Sequence, residues 1–203
     1  WLTFSPDGRY LATAKGKKAN LWLSGTNTLT KQFRGHKRQI TDLCFSYDSK
    51  YLITVSKDKT VKIWDIEADK VIKTLQGHLK AVNSVAYSKV GNFLTTASND
   101  KTVKIWDFET GSEKQSYSEH LKKVKCVAIS PDGRYVASAG GDIQQTANKN
   151  TLERNSRVVI IRAVNTGKIF RKIAAHKKLI RTLTFSPDGK YLASGGDDKT
   201  IKL

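Results

Sequence analysis

The four histidines of this chain, His36, His78, His120 and His176, are separated by 42, 42 and 56 residues. Trp22, Trp64 and Trp106 share the interval of 42, and the place 56 residues after Trp106 is taken by Arg162. The long interval is therefore one period with 14 extra residues, placed at 143–156, where IQQTANKNTLERNS is polar, turn-rich and unlike the rest of the chain. A period this short constrains the fold more than any other feature, because one unit buries its apolar face only by stacking on the next.

Each unit contains four short runs rich in β-branched and aromatic residues. In the second these are ITDLCFS (40–46), YLITVS (51–56), TVKIWD (60–65) and VIKTLQ (71–76). Such runs, separated by turn residues, read as strands, and none has the length or periodicity of a helix. The tetrapeptide SPDG recurs at Ser5–Gly8, Ser130–Gly133 and Ser186–Gly189. Its Pro fixes φ, its Asp bonds the local backbone and its Gly takes positive φ, which makes a tight hairpin link.

A unit of about 42 residues with RGH (34–36) or QGH (76–78) before the first strand, and VKIWD (61–65 and 103–107) closing the third, resembles the WD-repeat family of β-propellers. The resemblance covers essentially the whole chain. It implies an all-β propeller of four complete four-stranded blades and three strands of a fifth. The repeats fall at about 1–24, 28–66, 70–108, 113–164 (with the insertion 143–156) and 168–203. Propellers of this family more often have seven blades, which takes roughly 290 residues at that period. The chain also lacks Met, even at position 1. It is therefore expected to be part of a longer protein and of a seven-bladed propeller.

The resemblance further implies a hydrogen-bonded tetrad in each blade: a His before the first strand, a Ser or Thr on the second, an Asp in the next turn and the Trp of the third. By position these are His36, Thr54, Asp58 and Trp64, then His78, Thr96, Asp100 and Trp106. The next repeat offers His120, Ser138 and Asp142 with Arg162 in place of Trp, and the last offers His176, Ser194 and Asp198. The first has Thr13 and Trp22, but KGKK occupies the turn at Lys15–Lys18. His, Ser and Asp together suggest a hydrolase triad. Against that, the set recurs along the chain, uses Ser and Thr interchangeably and ends on an indole, which neither gives nor takes a proton in catalysis. A repeated structural staple is the better reading, and no enzyme is expected.

Composition narrows the other options. The longest aliphatic stretch is Val158–Ile161, too short for a membrane span. Cys44 and Cys126 are too few for a disulfide framework or a tetrahedral zinc site, and suit packing in a reducing, intracellular setting, cytoplasmic or nuclear. Without a phosphate loop, HExxH or paired-carboxylate motif, no cofactor, metal or small-molecule substrate is expected.

Thirty-six Lys and Arg face 18 Asp and Glu, a net charge of +18. Propeller connectivity distributes that charge. The loops from the fourth strand of one blade to the first of the next (d–a) share a face with the turns between second and third strands (b–c). The d–a loops KRQ (37–39), LKA (79–81), LKK (121–123) and KKL (177–179) hold seven basic residues and no acid. Lys57, Lys59, Lys101 and Lys199 add to the same face, and the insertion at 143–156 is expected to rise from it. The a–b turns opposite are near neutral and the c–d turns lean acidic, through residues such as Asp65, Glu67 and Glu109. The expected function is a non-catalytic scaffold in a multiprotein complex. Lys37, Arg38, Lys57, Lys80, Lys122, Lys123, Lys177 and Lys178 would hold an acidic or phosphorylated protein segment. The alternative is docking on RNA or a ribonucleoprotein through phosphate contacts. The aromatic residues disfavour direct reading of bases, since Trp22, Trp64, Trp106, Phe45, Tyr87 and Phe185 all fall where the repeat itself requires them.

Overall fold

The computed structural model describes residues 1–26, 28–143 and 157–203, apart from the side chains of Asp142 and Ile143. Nearly all of the insertion therefore lies outside the described residues. Among those described there is no helix, and five antiparallel sheets follow one another along the chain. The first contains β1 (Leu2–Phe4), β2 (Tyr10–Lys15), β3 (Lys18–Leu23) and β4 (Leu29–Arg34). The second contains β5 (Ile40–Phe45), β6 (Tyr51–Ser56), β7 (Val61–Asp65) and β8 (Lys70–Leu75), each within a residue of its sequence-based bounds. The third is β9 (Val82–Ser88), β10 (Phe93–Ser98), β11 (Val103–Asp107) and β12 (Glu113–Tyr117). The fourth is β13 (Val124–Ile129), β14 (Tyr135–Ile143), β15 (Arg157–Ala163) and β16 (Ile169–His176). The fifth has three strands, β17 (Ile180–Phe185), β18 (Leu192–Gly196) and β19 (Ile201–Lys202). Within every sheet the spatial order follows the sequence order, and the first strands of successive sheets lie side by side.

The first hairpin of every unit but the third owes its turn to a serine and an aspartate more than to proline; in the third, Ser88 Oγ donates to Val90 O instead. Ser5 Oγ donates to Asp7 Oδ1 (2.5 Å) and accepts from Tyr10 N (2.9 Å), while Arg9 N donates to Asp7 Oδ1 (3.0 Å). The SPDG turns of the fourth and fifth sheets repeat this pattern. The second sheet builds the same turn from Ser46 and Asp48, with Ser49 at φ 60° where the others have Gly.

Apolar side chains collect between sheets. Ala12, Ala19, Leu21 and Phe33 of the first meet Ile40, Leu43, Leu52 and Trp64 of the second. Ile53, Val55, Ile63 and Leu75 of the second meet Val82, Leu94, Trp106 and Phe108 of the third. Similar layers join the third to the fourth and the fourth to the fifth. Burial on both faces explains why the middle strands β6 and β10 read as nearly continuous apolar and hydroxyl runs instead of alternating. The end sheets each leave one such face open. Trp1, Leu2 and Phe4 are exposed at one end, and Ile201 and Leu203 at the other.

Hydrogen bonds between first strands reinforce the stacking. Thr41 Oγ1 donates to Val82 O (2.5 Å) and Asn83 Nδ2 to Val124 O (2.6 Å). In return Val85 N donates to Asp42 Oδ2 (3.1 Å). Thr41, Asn83, Lys125 and Arg181 are equivalent, each skipped by the ladder as a β-bulge near the start of its first strand. A bulge re-aims the side chain of the extra residue.

Candidate interaction face and the histidine tetrads

The first loop of each tetrad is closed by its aspartate. Asp58 Oδ2 accepts from Lys37 N (2.8 Å) and lies 2.8 Å from His36 Nδ1, while Asp58 Oδ1 accepts from Thr60 N (3.0 Å) and Thr60 Oγ1 (2.6 Å). Burial works to raise this carboxyl, but the Thr60 hydroxyl, the His36 ring and the Lys37 N–H outweigh it and hold Asp58 at about 2. An ionised carboxylate only accepts, so His36 Nδ1 carries the proton and Nε2 presents its lone pair. Burial also lowers the His36 ring, partly offset by Asp58, which keeps the ring neutral at pH 7. Thr54 Oγ1, 2.8 Å from Nε2, then donates to it and accepts from Trp64 Nε1 (2.9 Å). Donors thus point one way, from indole to hydroxyl to imidazole to carboxylate.

The second tetrad has the same geometry. Trp106 Nε1 donates to Thr96 Oγ1 (2.8 Å), which lies 2.8 Å from His78 Nε2, and His78 Nδ1 is 2.9 Å from Asp100. Burial again works to raise Asp100, and its bonds to His78 and Thr102 bring it well below the ordinary carboxylate range. In the fifth sheet Ser194 Oγ is 2.8 Å from His176 Nε2, and His176 Nδ1 is 2.9 Å from Asp198. In the first sheet Trp22 Nε1 donates to Thr13 Oγ1 (2.9 Å). In the fourth His120 Nε2 is 2.8 Å from Ser138 Oγ. Asp142, expected in a turn, has its backbone in β14, and its side chain lies outside the described residues.

These bonds tie the d–a loops to the b–c turns and so place the two sets of loops on one face. The eight cations singled out from the sequence, Lys37, Arg38, Lys57, Lys80, Lys122, Lys123, Lys177 and Lys178, are all exposed. Of the aspartates among them, Asp58, Asp100 and Asp198 are turned inward onto His rings and backbone N–H groups, and Asp197 is exposed. Two further cations belong to this face and were missed from sequence: the bulge residues Lys125 and Arg181. Lys125 Nζ reaches Asn99 Oδ1 in the third sheet (3.0 Å). Burial, followed by the nearby charges of Lys123, Arg181 and Lys57, lowers Lys125 from its usual value, so cations from three sheets share one field near the start of the first strands. Arg181 is neutralised locally by a two-bond contact with Asp197 (2.7 and 2.8 Å). The position after Ile40, Val82, Val124 and Ile180 was visible in the repeat, but not the bulge that turns it outward.

Residues 27–65, 69–107, 111–142 and 167–203 match the WD40 family, described as "WD domain, G-beta repeat". The chain belongs to that family. A stretch of 63 residues is 36% identical to Periodic tryptophan protein 2 of Saccharomyces cerevisiae, covering 27% of this chain and 7% of that protein's length. The sheets are accordingly WD40 blades, and the family consists of generally non-catalytic scaffolds for protein–protein contacts.

The fourth WD40 blade departs from its neighbours in two coupled places. In the second and third blades the indole edge packs on a glycine, and a Cβ there would stand 3.1 Å from Trp64 at Gly35 and 3.0 Å from Trp106 at Gly77. The fourth blade has Arg162 for the indole and Glu119 for the glycine, and the two form an ion pair (2.7 Å). The Arg162 guanidinium also lies 4.1 Å from the centre of the Tyr117 ring and donates to Gly167 O. An arginine can be buried here because its charge is matched and its donors are occupied.

The cysteines are free thiols. Burial, with the Asp42 charge adding to it, pushes Cys126 up to about 12 and Cys44 higher still, which suits packing better than redox chemistry. On the opposite face a cleft of about 390 Å³ between the third and fourth blades is lined by Val90, Phe93, Ile105, Asp132, Arg134 and Tyr135. Its carboxylate is already held by Ser130 Oγ and Arg134 N.

Proposed function

We propose that this WD40 chain is a non-catalytic scaffold that holds an acidic or phosphorylated segment of a partner protein on the face formed by its d–a loops and b–c turns. The observation that carries this reading is the one-sided use of charge. The cations of the face point to solvent, whereas Asp58, Asp100 and Asp198 are consumed by the tetrads. Lys59, Lys101 and Lys199 sit in the b–c turns at φ 76°, 77° and 64°. Left-handed backbone costs a lysine about 1 kcal/mol that glycine would avoid, so charge is retained there against local preference.

The tetrads support a structural role in preference to a catalytic one. Thr54 and Thr96 are fully buried and already serve as acceptors to an indole, leaving neither free to attack a substrate. Reversing Lys80, Lys122 and Lys177 to Glu should leave the fold intact and strip acidic partners from the full-length protein in affinity purification. An unchanged partner set would exclude this face. Running the same purification with nuclease separates the rival reading, docking on RNA or a ribonucleoprotein, because partners held through nucleic acid would then be lost.

A further inference from the structure

Position by position, the residue that follows the tetrad histidine is Lys37, Leu79, Leu121 and Lys177. In three of these loops its N–H is fixed by the tetrad carboxylate: Lys37 N on Asp58, Leu79 N on Asp100 (2.8 Å) and Lys177 N on Asp198 (2.9 Å). That bond sets the backbone and sends the side chain away from the blade. Leu79 is 76% exposed and Leu121 56%, on adjacent blades, amid Lys80, Lys122 and Lys123. Lys125, at the bulge of the fourth blade, reaches Asn99 of the third through Nζ (3.0 Å).

Two leucines exposed among cations match one ligand chemistry better than another. A phosphate backbone uses the lysines, gains nothing from aliphatic side chains and stacks its bases on aromatics. No aromatic residue occurs in the d–a loops or the b–c turns. A polypeptide that alternates acidic and aliphatic side chains uses both. The charge has the right sign, and covering Leu79 and Leu121 removes apolar surface from water. We infer that the third and fourth blades form a docking site for an acidic protein segment bearing aliphatic side chains, which seat on Leu79 and Leu121 while its acids meet Lys80, Lys122, Lys123 and Lys125. This rests on the reading of the face as a binder of acidic protein segments and narrows it to two blades and one side-chain pattern.

The test uses fluorescence anisotropy on the full-length protein with three kinds of probe: glutamate-rich peptides carrying two leucines at varied separations, the same peptides with serine for leucine, and oligouridylate. At least one leucine peptide should bind about tenfold tighter than its serine counterpart. Leu79→Ser with Leu121→Ser should abolish that difference and leave the serine peptides unaffected. Equal binding of leucine and serine peptides, a preference that survives the double leucine variant, or tighter binding of oligouridylate would overturn the inference. Failure of the broader reading looks different: no peptide would bind, and the lysine reversals would change nothing.

Discussion

The tetrads permit a sharp test of how much one buried hydroxyl contributes, because two blades use it differently. In the third blade Thr96 is fully buried and its Oγ1 serves both Trp106 Nε1 and His78 Nε2, each at 2.8 Å. Thr96→Val preserves the shape and strands both partners. Each unsatisfied buried group costs about 1–3 kcal/mol, and the extra methyl returns about 1 kcal/mol, which for two stranded groups leaves a net loss of about 1–5 kcal/mol. In the fourth blade Ser138 Oγ serves His120 Nε2 at 2.8 Å, has only a 3.5 Å approach to Ile160 O, and has no indole to satisfy. Ser138→Ala strands one partner instead of two and should therefore cost about 1–3 kcal/mol, less than Thr96→Val by the indole's share. Urea unfolding followed by tryptophan fluorescence and far-UV circular dichroism reads both, with an unchanged slope excluding a shift in the denatured state. Equal costs for the two variants, or a loss below about 1 kcal/mol for Thr96→Val, would refute the one-way chain of donors.

Three further outcomes follow from the same geometry. Glu119→Ala should destabilise by about 1–3 kcal/mol by leaving the buried Arg162 guanidinium without its carboxylate, and the double variant Glu119→Gly with Arg162→Trp should recover most of that loss; additive costs in a double-mutant cycle would show the two positions to be independent. Burial raises Asp42 to about 6, against its bonds from Val85 N, Ser84 and Leu43 N, so folding favours its protonated form: stability should fall as pH rises from about 4 to about 6, a decline that Asp42→Asn removes, whereas Asp58, held at about 2, contributes stability that is present above about 4 and lost as pH falls through 2. Urea midpoints across that range read both slopes, and identical profiles for wild type and Asp42→Asn would contradict the assignment. The open apolar faces of the end blades, with Trp1, Leu2 and Phe4 on one and Ile201 and Leu203 on the other, should drive the 203-residue chain to self-associate in sedimentation velocity; a monodisperse monomer would show those faces to be harmless.

What the sequence disclosed and what it hid divide along a physical line. The 42-residue period, the strands and the fifth sheet's three strands were legible because each depends on residues close in the chain: a Ser–Asp turn, a β-branched run, a Trp ten residues after its Thr. The bulges at Thr41, Asn83, Lys125 and Arg181 were not, because a bulge is a property of pairing between strands and leaves no residue signature of its own. Lys125 and Arg181 therefore escaped notice, although Lys125 carries charge toward the region where the first strands meet. The outward setting of Leu79 was hidden for a similar reason. It depends on a carboxylate 21 residues ahead of Leu79 closing on that residue's N–H, and an aliphatic residue in a loop otherwise reads as nothing in particular.

Arg162 shows a further kind of limit. Taken alone, arginine in the tryptophan position reads as a lost tetrad and a weakened blade. The structure shows an exchange of one complementary pair for another. In the second and third blades a flat apolar ring needs a neighbour without a Cβ, and Gly35 and Gly77 provide it. In the fourth a buried guanidinium needs a carboxylate at that same place, and Glu119 provides it while Tyr117 covers its face. The letters were present in the sequence as SEH against RGH and QGH, one residue before each histidine and more than forty before Arg162. Only the packing of one blade against the next explains why the two changes belong together. The fourth blade is accordingly an ionic version of its neighbours, joined to the third through a charge pair where the second and third blades use an apolar ring. A blade joined in this way is expected to answer to charge reversal at Glu119, whereas the joint made by Trp64 and Phe33, with ring centres 5.4 Å apart, is not.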